Sequence, residues 1–91
     1  MTTQEEMNRL HWHSRRGMLE LDAFLVPFTL NVYSDLSKLE QESYRNLLHH
    51  EDPYLFAWLM RQERPKSRDI AAMVEKVIDY AQGESRHSRR V

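Results

Sequence analysis

Histidine side chains are the residues of this chain that could bind a metal ion, since it contains no cysteine. His11 and His13 are two residues apart on a predicted helix, and His49 and His50 are adjacent, so each pair diverges around the helix axis. The sequence contains no HExxH motif and no pair of ligands at i, i+4 beside a carboxylate. We interpret these histidines as surface or helix-end residues and predict no metal site.

Nucleophilic catalysis and nucleotide chemistry have no better support in the sequence. A thiol nucleophile is excluded by the lack of cysteine, and no GxSxG motif marks a reactive serine. A phosphate-binding glycine loop needs more than the two glycines that the chain contains. We therefore predict that the protein is not an enzyme.

The stretch HSRRGMLELD places a glycine between opposite charges at the junction of two predicted helices. Arg16 and Glu20 fall within one helical turn, which predicts a surface ion pair worth only a few tenths of a kcal/mol. Replacing either by alanine should then lower the melting temperature little. Gly17 costs about 0.5–1 kcal/mol relative to alanine within a helix. Either it forms a sharp turn, or its missing side chain lets another molecule's backbone approach.

A basic cluster at the end of the first predicted helix could bind phosphates. Its members, with the arginines of the tail, are Arg9, His11, His13, Arg15, Arg16, Arg86, Arg89 and Arg90. Acidic residues nearly cancel these charges, because the net charge is −1. The aromatic residues follow core spacing and form no stacking platform for bases. This pattern favours a solvated face and predicts no nucleic-acid binding.

Two helices are predicted in the first third of the chain. The first begins at Thr3, where TQEE forms a capping box with Glu6. The second begins near Gly17 and is apolar on two sides, so it must be covered on both sides or must face a partner. Pro27 inside it predicts a kink.

Three more helices follow. Ser37 and Glu40 of SKLE form a second capping box for a helix that ends near His49. Asp52 is the predicted N-cap of a short fourth helix, with Pro53 at its first position. The fifth helix has the clearest amphipathic pattern of the chain. It is predicted to begin at Ser67 or Asp69 and to end at Gly83.

The predicted fold class is therefore all-α, a small single-domain five-helix bundle. Residues 1–83 form this domain, and residues 84–91 form a flexible basic tail. The N-terminus is acidic and has no apolar run, and no segment is apolar enough to span a bilayer. We expect a cytoplasmic protein without membrane insertion. We expect a monomer, because the apolar stripes suffice for one core.

The segment HWHSRRGMLELD resembles the signature of the SdhE family, also called YgfY or CptB and known in mitochondria as succinate dehydrogenase assembly factor 2. The family's RGxxE hallmark stands here as Arg16, Gly17 and Glu20. The likeness covers roughly residues 7 to 80. Its further matching residues are Trp12, Leu21, Asp22, Pro27, Asp52, Pro53, Trp58 and Pro65.

The resemblance implies a five-helix assembly factor with no enzymatic activity of its own. Such factors bind the flavoprotein subunit of succinate dehydrogenase, and in bacteria that of fumarate reductase. They promote covalent attachment of FAD to a histidine of that subunit. FAD therefore acts on the partner, and we expect no cofactor bound tightly by this chain itself.

The resemblance also predicts a partner-binding site around the glycine. Gly17 would allow close approach of the flavoprotein, and Arg16 and Glu20 would form charge-assisted hydrogen bonds with it. The predicted partner-binding residues are Arg16, Gly17, Glu20, Arg9, His11 and Met18. The alternative is an antitoxin-like or nucleic-acid-binding regulatory protein, because some family members have been described as antitoxins acting on the cytoskeleton.

Overall fold

The computed structural model describes residues 3–90, and side chains over residues 3–83. Five α-helices and a single 3₁₀ turn make up this part of the chain, in which no residue is in a strand. The predicted all-α, five-helix class is confirmed. In chain order the elements are α1 (Gln4–Ser14), α2 (Leu19–Asn31), the 3₁₀ turn (Tyr33–Asp35), α3 (Lys38–Leu48), α4 (Asp52–Leu59) and α5 (Arg68–Arg90).

Helix α2 lies at the centre of the bundle, where it contacts α1, α4 and α5. Helix α3 packs on α5 and more lightly on α1. The buried apolar side chains form one core: Leu10, Leu21, Leu25, Phe28, Tyr33, Tyr44, Leu47, Leu48, Leu55, Leu59, Ile70, Met73, Val74, Val77 and Ile78. From the two apolar sides of α2, the sequence predicted either a central helix or a helix with one side facing a partner. Only one side is fully covered, because Leu19 and Leu30 remain exposed.

The first residues of the helices show which predicted caps form. The capping box of α3 is confirmed, since Ser37 Oγ accepts from the Glu40 N–H at 3.2 Å and Glu40 Oε1 accepts from the Ser37 N–H at 3.0 Å. At α1 only half of the predicted box forms. Thr3 Oγ1 accepts from the Glu6 N–H, but the Glu6 carboxylate accepts instead from the Tyr33 hydroxyl at 2.9 Å.

The prediction that Asp52 caps α4 is wrong. Glu51 occupies the N-cap position without a side-chain hydrogen bond, and Asp52 is the first helical residue. Its carboxylate accepts a hydrogen bond from the Arg16 guanidinium at 2.8 Å. A charged partner from another element has outcompeted the local backbone N–H groups.

The ends of the last two helices also differ from expectation. Helix α4 ends at a Schellman motif in which Arg61 has φ 59°, the left-handed conformation usually taken by glycine. Helix α5 passes through Gly83 to Arg90, so the predicted end at Gly83 is wrong. A glycine lowers helix propensity by about 1 kcal/mol and does not forbid continuation. The predicted flexibility of residues 84–91 lies outside the described side chains.

A buried hydrogen-bond chain joins α2 to α3. The Tyr44 hydroxyl donates to the Leu25 carbonyl at 3.1 Å, so its contact with Thr29 Oγ1 at 2.7 Å uses the threonine as donor. Burial raises the pKa of Tyr44 well above its ordinary value, which keeps this donor protonated.

Pro27 lies within α2, which runs as one helix from Leu19 to Asn31. None of the helices, in the part of the chain that is described, has the length and apolarity to cross a membrane.

Candidate functional site

A tight turn of residues 15–18 joins α1 to α2. The buried Ser14 hydroxyl donates to the His11 carbonyl at 2.8 Å at the end of α1. Asp22, in the first turn of α2, then accepts the backbone N–H of Arg16 at 2.7 Å. This carboxylate holds the reversed chain against the N-terminus of α2, where a negative charge is favourable.

The Arg16 side chain points into the protein and is only 13% exposed. Its Nε donates to Asp52 Oδ1 at 2.8 Å. Its remaining bonds go to three backbone carbonyls: His13 at 2.8 Å, Leu48 at 3.0 Å and His50 at 2.6 Å. The predicted surface ion pair between Arg16 and Glu20 is therefore wrong.

The location of these acceptors explains why an arginine stands here. The last carbonyls of a helix have no intrahelical partner, and Leu48 is the final residue of α3. The planar guanidinium presents its donors in a fixed fork, which reaches these carbonyls and the Asp52 carboxylate together. Arg16 thus ties the end of α1 to the end of α3 and the start of α4.

The structure confirms the first of the two explanations for Gly17, and the second, close approach of another molecule, stays a prediction. Its φ of +80° lies in the left-handed region, so it does form the sharp turn. A Cβ added at this position would have no heavy atom within 4 Å, so the glycine faces open space. Its backbone is exposed and accessible to another molecule.

Exposed side chains surround this glycine. Trp12 is 71% exposed at the end of α1, and Leu19 is 80% exposed at the start of α2. Met18 and Glu20 are also exposed, and Glu20 forms no hydrogen bond or ion pair with any residue that the structure describes. We call these four residues with Gly17 the turn surface. It combines apolar side chains, bare backbone and one carboxylate, which suits protein binding better than chemistry.

Arg9 and His11, the other predicted contact residues, lie one to two turns earlier on α1. Arg9 is exposed, 4.0 Å from Glu5, and lines a groove of about 580 Å³ between α1 and α3. His13 and His49 line the same groove, with ring centroids 5.3 Å apart. Desolvation, with the nearby charges of Arg16 and His49, lowers the pKa of His13 below its ordinary value. Glu6 and Arg45 line the groove as well, with 3.8 Å between their charged groups, so it carries charges of both signs.

Two features of the site were missed from the sequence. Asp22 was noted only as a matching residue and Asp52 also as a helix cap, and their bonds to Arg16 were not predicted. Both aspartates stand in the first turn of a helix, which is the signal that the sequence contains. Local spacing alone cannot connect such residues to an arginine elsewhere in the chain. The exposure of Trp12 and Leu19 was the second feature.

Over the described residues, no group of three or more potential metal ligands comes together.

The chain is similar to several known proteins over most of its length. The family Sdh5, described as flavinator of succinate dehydrogenase, matches residues 8–81. The FAD assembly factor SdhE of Pseudomonas aeruginosa is 45% identical over 82 residues, which are 90% of this chain and 98% of that protein. The FAD assembly factor SdhE of Vibrio cholerae is 42% identical over 80 residues, or 88% and 93% of the two chains.

The fold is also found among solved structures. The solution structure of a UPF0350 protein has a TM-score of 0.76 and 40% sequence identity, over 94% of this chain and 92% of that chain. The names of the family and of these relatives describe the assembly of a cofactor and not the catalysis of a reaction. The family match covers most of the chain, and the relatives are well above 30% identical. This chain therefore belongs to the Sdh5/SdhE family of FAD assembly factors.

Proposed function

We propose that this protein binds the flavoprotein subunit of succinate dehydrogenase and promotes covalent attachment of FAD to that subunit. The family description and the names of its relatives support this role. The observation that favours the turn surface as the docking site is the open glycine. Gly17 presents bare backbone with nothing within 4 Å of an added Cβ, beside the exposed Leu19 and a Glu20 that has no partner among the described residues.

The turn surface has the composition of a protein interface. Trp12 and Leu19 offer apolar area on either side of the turn, and an exposed tryptophan is a frequent source of binding energy at interfaces. Glu20 would accept hydrogen bonds from cationic or amide donors of the flavoprotein, and these strengthen once water is excluded. Met18 belongs to the turn surface, and Arg9 and His11 extend the proposed contact along α1.

Arg16 has a different role in this proposal from the one expected from the sequence. Its donors are largely engaged by Asp52 and backbone carbonyls, so few remain for a partner. It acts as a positioning residue that sets the path of the turn on which Gly17 and Glu20 are presented. Loss of Arg16 would therefore reduce docking through the shape of the turn.

The proposed mechanism is one of proximity. The helper holds the flavoprotein in an arrangement in which its own histidine and the flavin meet, and the flavoprotein performs the bond-forming chemistry. Restricting two reacting groups to a productive geometry can remove several kcal/mol from a barrier without a catalytic residue on the helper. FAD in this scheme is bound by the partner.

The proposal also includes that this protein is a monomer and that it is located in the cytoplasm.

The flavoprotein subunit of fumarate reductase is a second proposed partner, because the family resemblance implies it. Both flavoproteins would use the same turn surface.

The rival function, an antitoxin-like or nucleic-acid-binding regulator, would need a basic face. The turn surface has one carboxylate and three apolar side chains instead.

The test replaces Gly17 and Glu20 in a cell that lacks its own copy of the gene. Gly17→Asn keeps a residue that tolerates positive φ and places a side chain in open space, so the fold should survive. Glu20→Gln removes one charge. We expect both variants to lower covalent FAD on the succinate dehydrogenase flavoprotein, measured as flavin fluorescence of the denatured subunit.

The matched control is Glu42→Gln, an exposed carboxylate on α3, outside the turn surface. It should leave flavinylation unchanged. Normal flavinylation with folded Gly17→Asn and Glu20→Gln proteins would reject the turn surface as the docking site. Normal flavinylation in the deletion strain itself would reject the proposed function. The same assay on the fumarate reductase flavoprotein tests the second partner.

A further inference from the structure

A second surface is formed by α4 and the loop that leads into α5. It encloses a pocket of about 430 Å³ with an aromatic wall. The His50 and Trp58 ring centroids are 4.9 Å apart at 71°, and those of Tyr54 and Trp58 are 6.0 Å apart at 37°. Tyr54 is 53% exposed, while Trp58 is half-buried. Pro65 and Ile70 add apolar surface to the lining.

Hydrogen bonds hold the loop beside this pocket in place. The Gln62 N–H donates to the Ala57 carbonyl at 2.8 Å, which closes the end of α4. Arg61 donates to both oxygens of Glu75 on α5, at 3.0 and 3.2 Å. The pocket is thus bounded by a loop fixed to both neighbouring helices. Such preorganisation lowers the entropy lost when a ligand binds.

The charges at the pocket are mainly positive. Arg64 and Lys66 are exposed, and neither forms a hydrogen bond or ion pair with a residue that the structure describes. Among the described residues that line this pocket, Glu63 is the single carboxylate. The surface therefore offers two uncommitted cations next to an aromatic wall, which is complementary to an apolar side chain flanked by negative charge.

We propose that this pocket binds an acidic peptide segment of a protein partner. One apolar side chain of the segment would pack on Trp58 and Tyr54, and neighbouring carboxylates would pair with Arg64 and Lys66. Glu63 reduces the local positive charge. This favours singly charged carboxylates over a multiply charged phosphate, although both would be attracted to the same cations. The proposal concerns residues outside the turn surface, and its failure would leave the flavinylation proposal unaffected.

Intrinsic fluorescence can test this binding directly. The chain has two tryptophans, so Trp12→Phe leaves Trp58 as the only indole reporter. The probe is the peptide acetyl-EDLFDE-amide, titrated into the full chain at low salt. We expect a saturable change in Trp58 emission that weakens as salt rises, because screening reduces the attraction between exposed charges.

The charge requirement is tested with matched reversals. Arg64→Glu should weaken the peptide by about tenfold, equal to about 1.4 kcal/mol. Lys38→Glu makes the same charge change at an exposed position on α3 and should leave the affinity unchanged. Urea unfolding of each variant confirms that it is folded. A Tyr54→Ala variant, in which an exposed ring is removed without a core cavity, should also bind more weakly.

Three results would overturn the proposal. The first is no saturable response to the acidic peptide up to its solubility limit. The second is equal binding of the basic peptide acetyl-KKLFKK-amide, which would show apolar adhesion without charge recognition. The third is displacement of the peptide by AMP at lower concentration than the peptide requires, which would assign the pocket to small phosphorylated ligands.

Discussion

At the residue scale, the three residues of the RGxxE motif have different environments. Arg16 is turned inward and binds the Asp52 carboxylate and the end of α3, whereas Glu20 is exposed and unbonded within the described residues. Gly17 between them has positive φ and an open side. Arg16 therefore stabilises the fold, whereas Gly17 and Glu20 form part of the proposed binding surface.

The first prediction concerns Arg16→Ala. Removing the guanidinium leaves the Asp52 carboxylate and two inter-element carbonyls without their donor, and hydrogen bonds to charged groups are worth about 1.5–3 kcal/mol each in such settings. Asp52 is partly exposed, so water replaces some of the loss. We expect the free energy of unfolding to fall by about 2–3 kcal/mol, measured by urea denaturation.

Arg15→Ala is the control for this change. Arg15 is exposed and its guanidinium lies 5.6 Å from the centroid of the Trp12 ring, a contact worth about 0.5–1 kcal/mol at such sites. Glu20→Ala should be nearly neutral for stability. If Arg16→Ala were no less stable than Arg15→Ala, the inward network would not contribute as described.

At the element scale, the end of α4 depends on an unusual residue. Arg61 has φ 59°, and its N–H donates to the Trp58 carbonyl at 3.2 Å in the Schellman motif. Left-handed backbone is unfavourable for any residue with a Cβ. The bidentate contact with Glu75 on α5 compensates in part, although both side chains are about half exposed.

The second prediction separates backbone strain from the ion pair. Arg61→Ala loses the pair and keeps the strain, whereas Arg61→Gly loses the pair and relieves the strain. Both variants lack the same side-chain contact with Glu75, so that contact cancels and their difference reports the backbone preference of glycine over alanine at this position. We expect the glycine variant to be more stable than the alanine variant by about 1 kcal/mol, from paired thermal or urea unfolding curves. Equal stabilities would contradict this.

At the scale of the whole molecule, exposed apolar side chains are concentrated near one turn. Six large hydrophobic residues are exposed among those described, and three of them, Trp12, Met18 and Leu19, flank Gly17. Isolated exposed leucines are normal on soluble proteins, but clusters of them mark interaction sites. Half of the large exposed hydrophobic residues among those described therefore lie at the end of α1, in the turn and at the start of α2.

The third prediction compares two equally exposed leucines. Leu19 is 80% exposed beside the turn, and Leu39 is 78% exposed on α3. Neither side chain belongs to the core, so both alanine variants should keep wild-type stability. We expect Leu19→Ala to reduce covalent FAD on the flavoprotein severalfold, and Leu39→Ala to leave it unchanged. Equal effects of the two variants would remove the apolar part from the proposed docking surface.

Local signals predicted the elements better than their contacts. Ser37 and Glu40 form the expected capping box because both partners are within one turn of each other. The same reasoning failed at Glu6 and Asp52, whose carboxylates bind Tyr33 and Arg16 from distant parts of the chain. At both sites a partner from a distant part of the chain binds the carboxylate in place of the local backbone N–H. Residue spacing within one helix cannot predict such a contact.

The sequence by itself determined five helices, one core and the position of the glycine, because periodicity and capping act over a few residues. The resemblance to a family of assembly factors also came from the sequence, as did the expectation of a site at Gly17. Only the tertiary structure decided that Arg16 is internal and that Glu20 is exposed. Arg16 contacts residues more than 30 positions away, and such contacts exist only when the helices have packed.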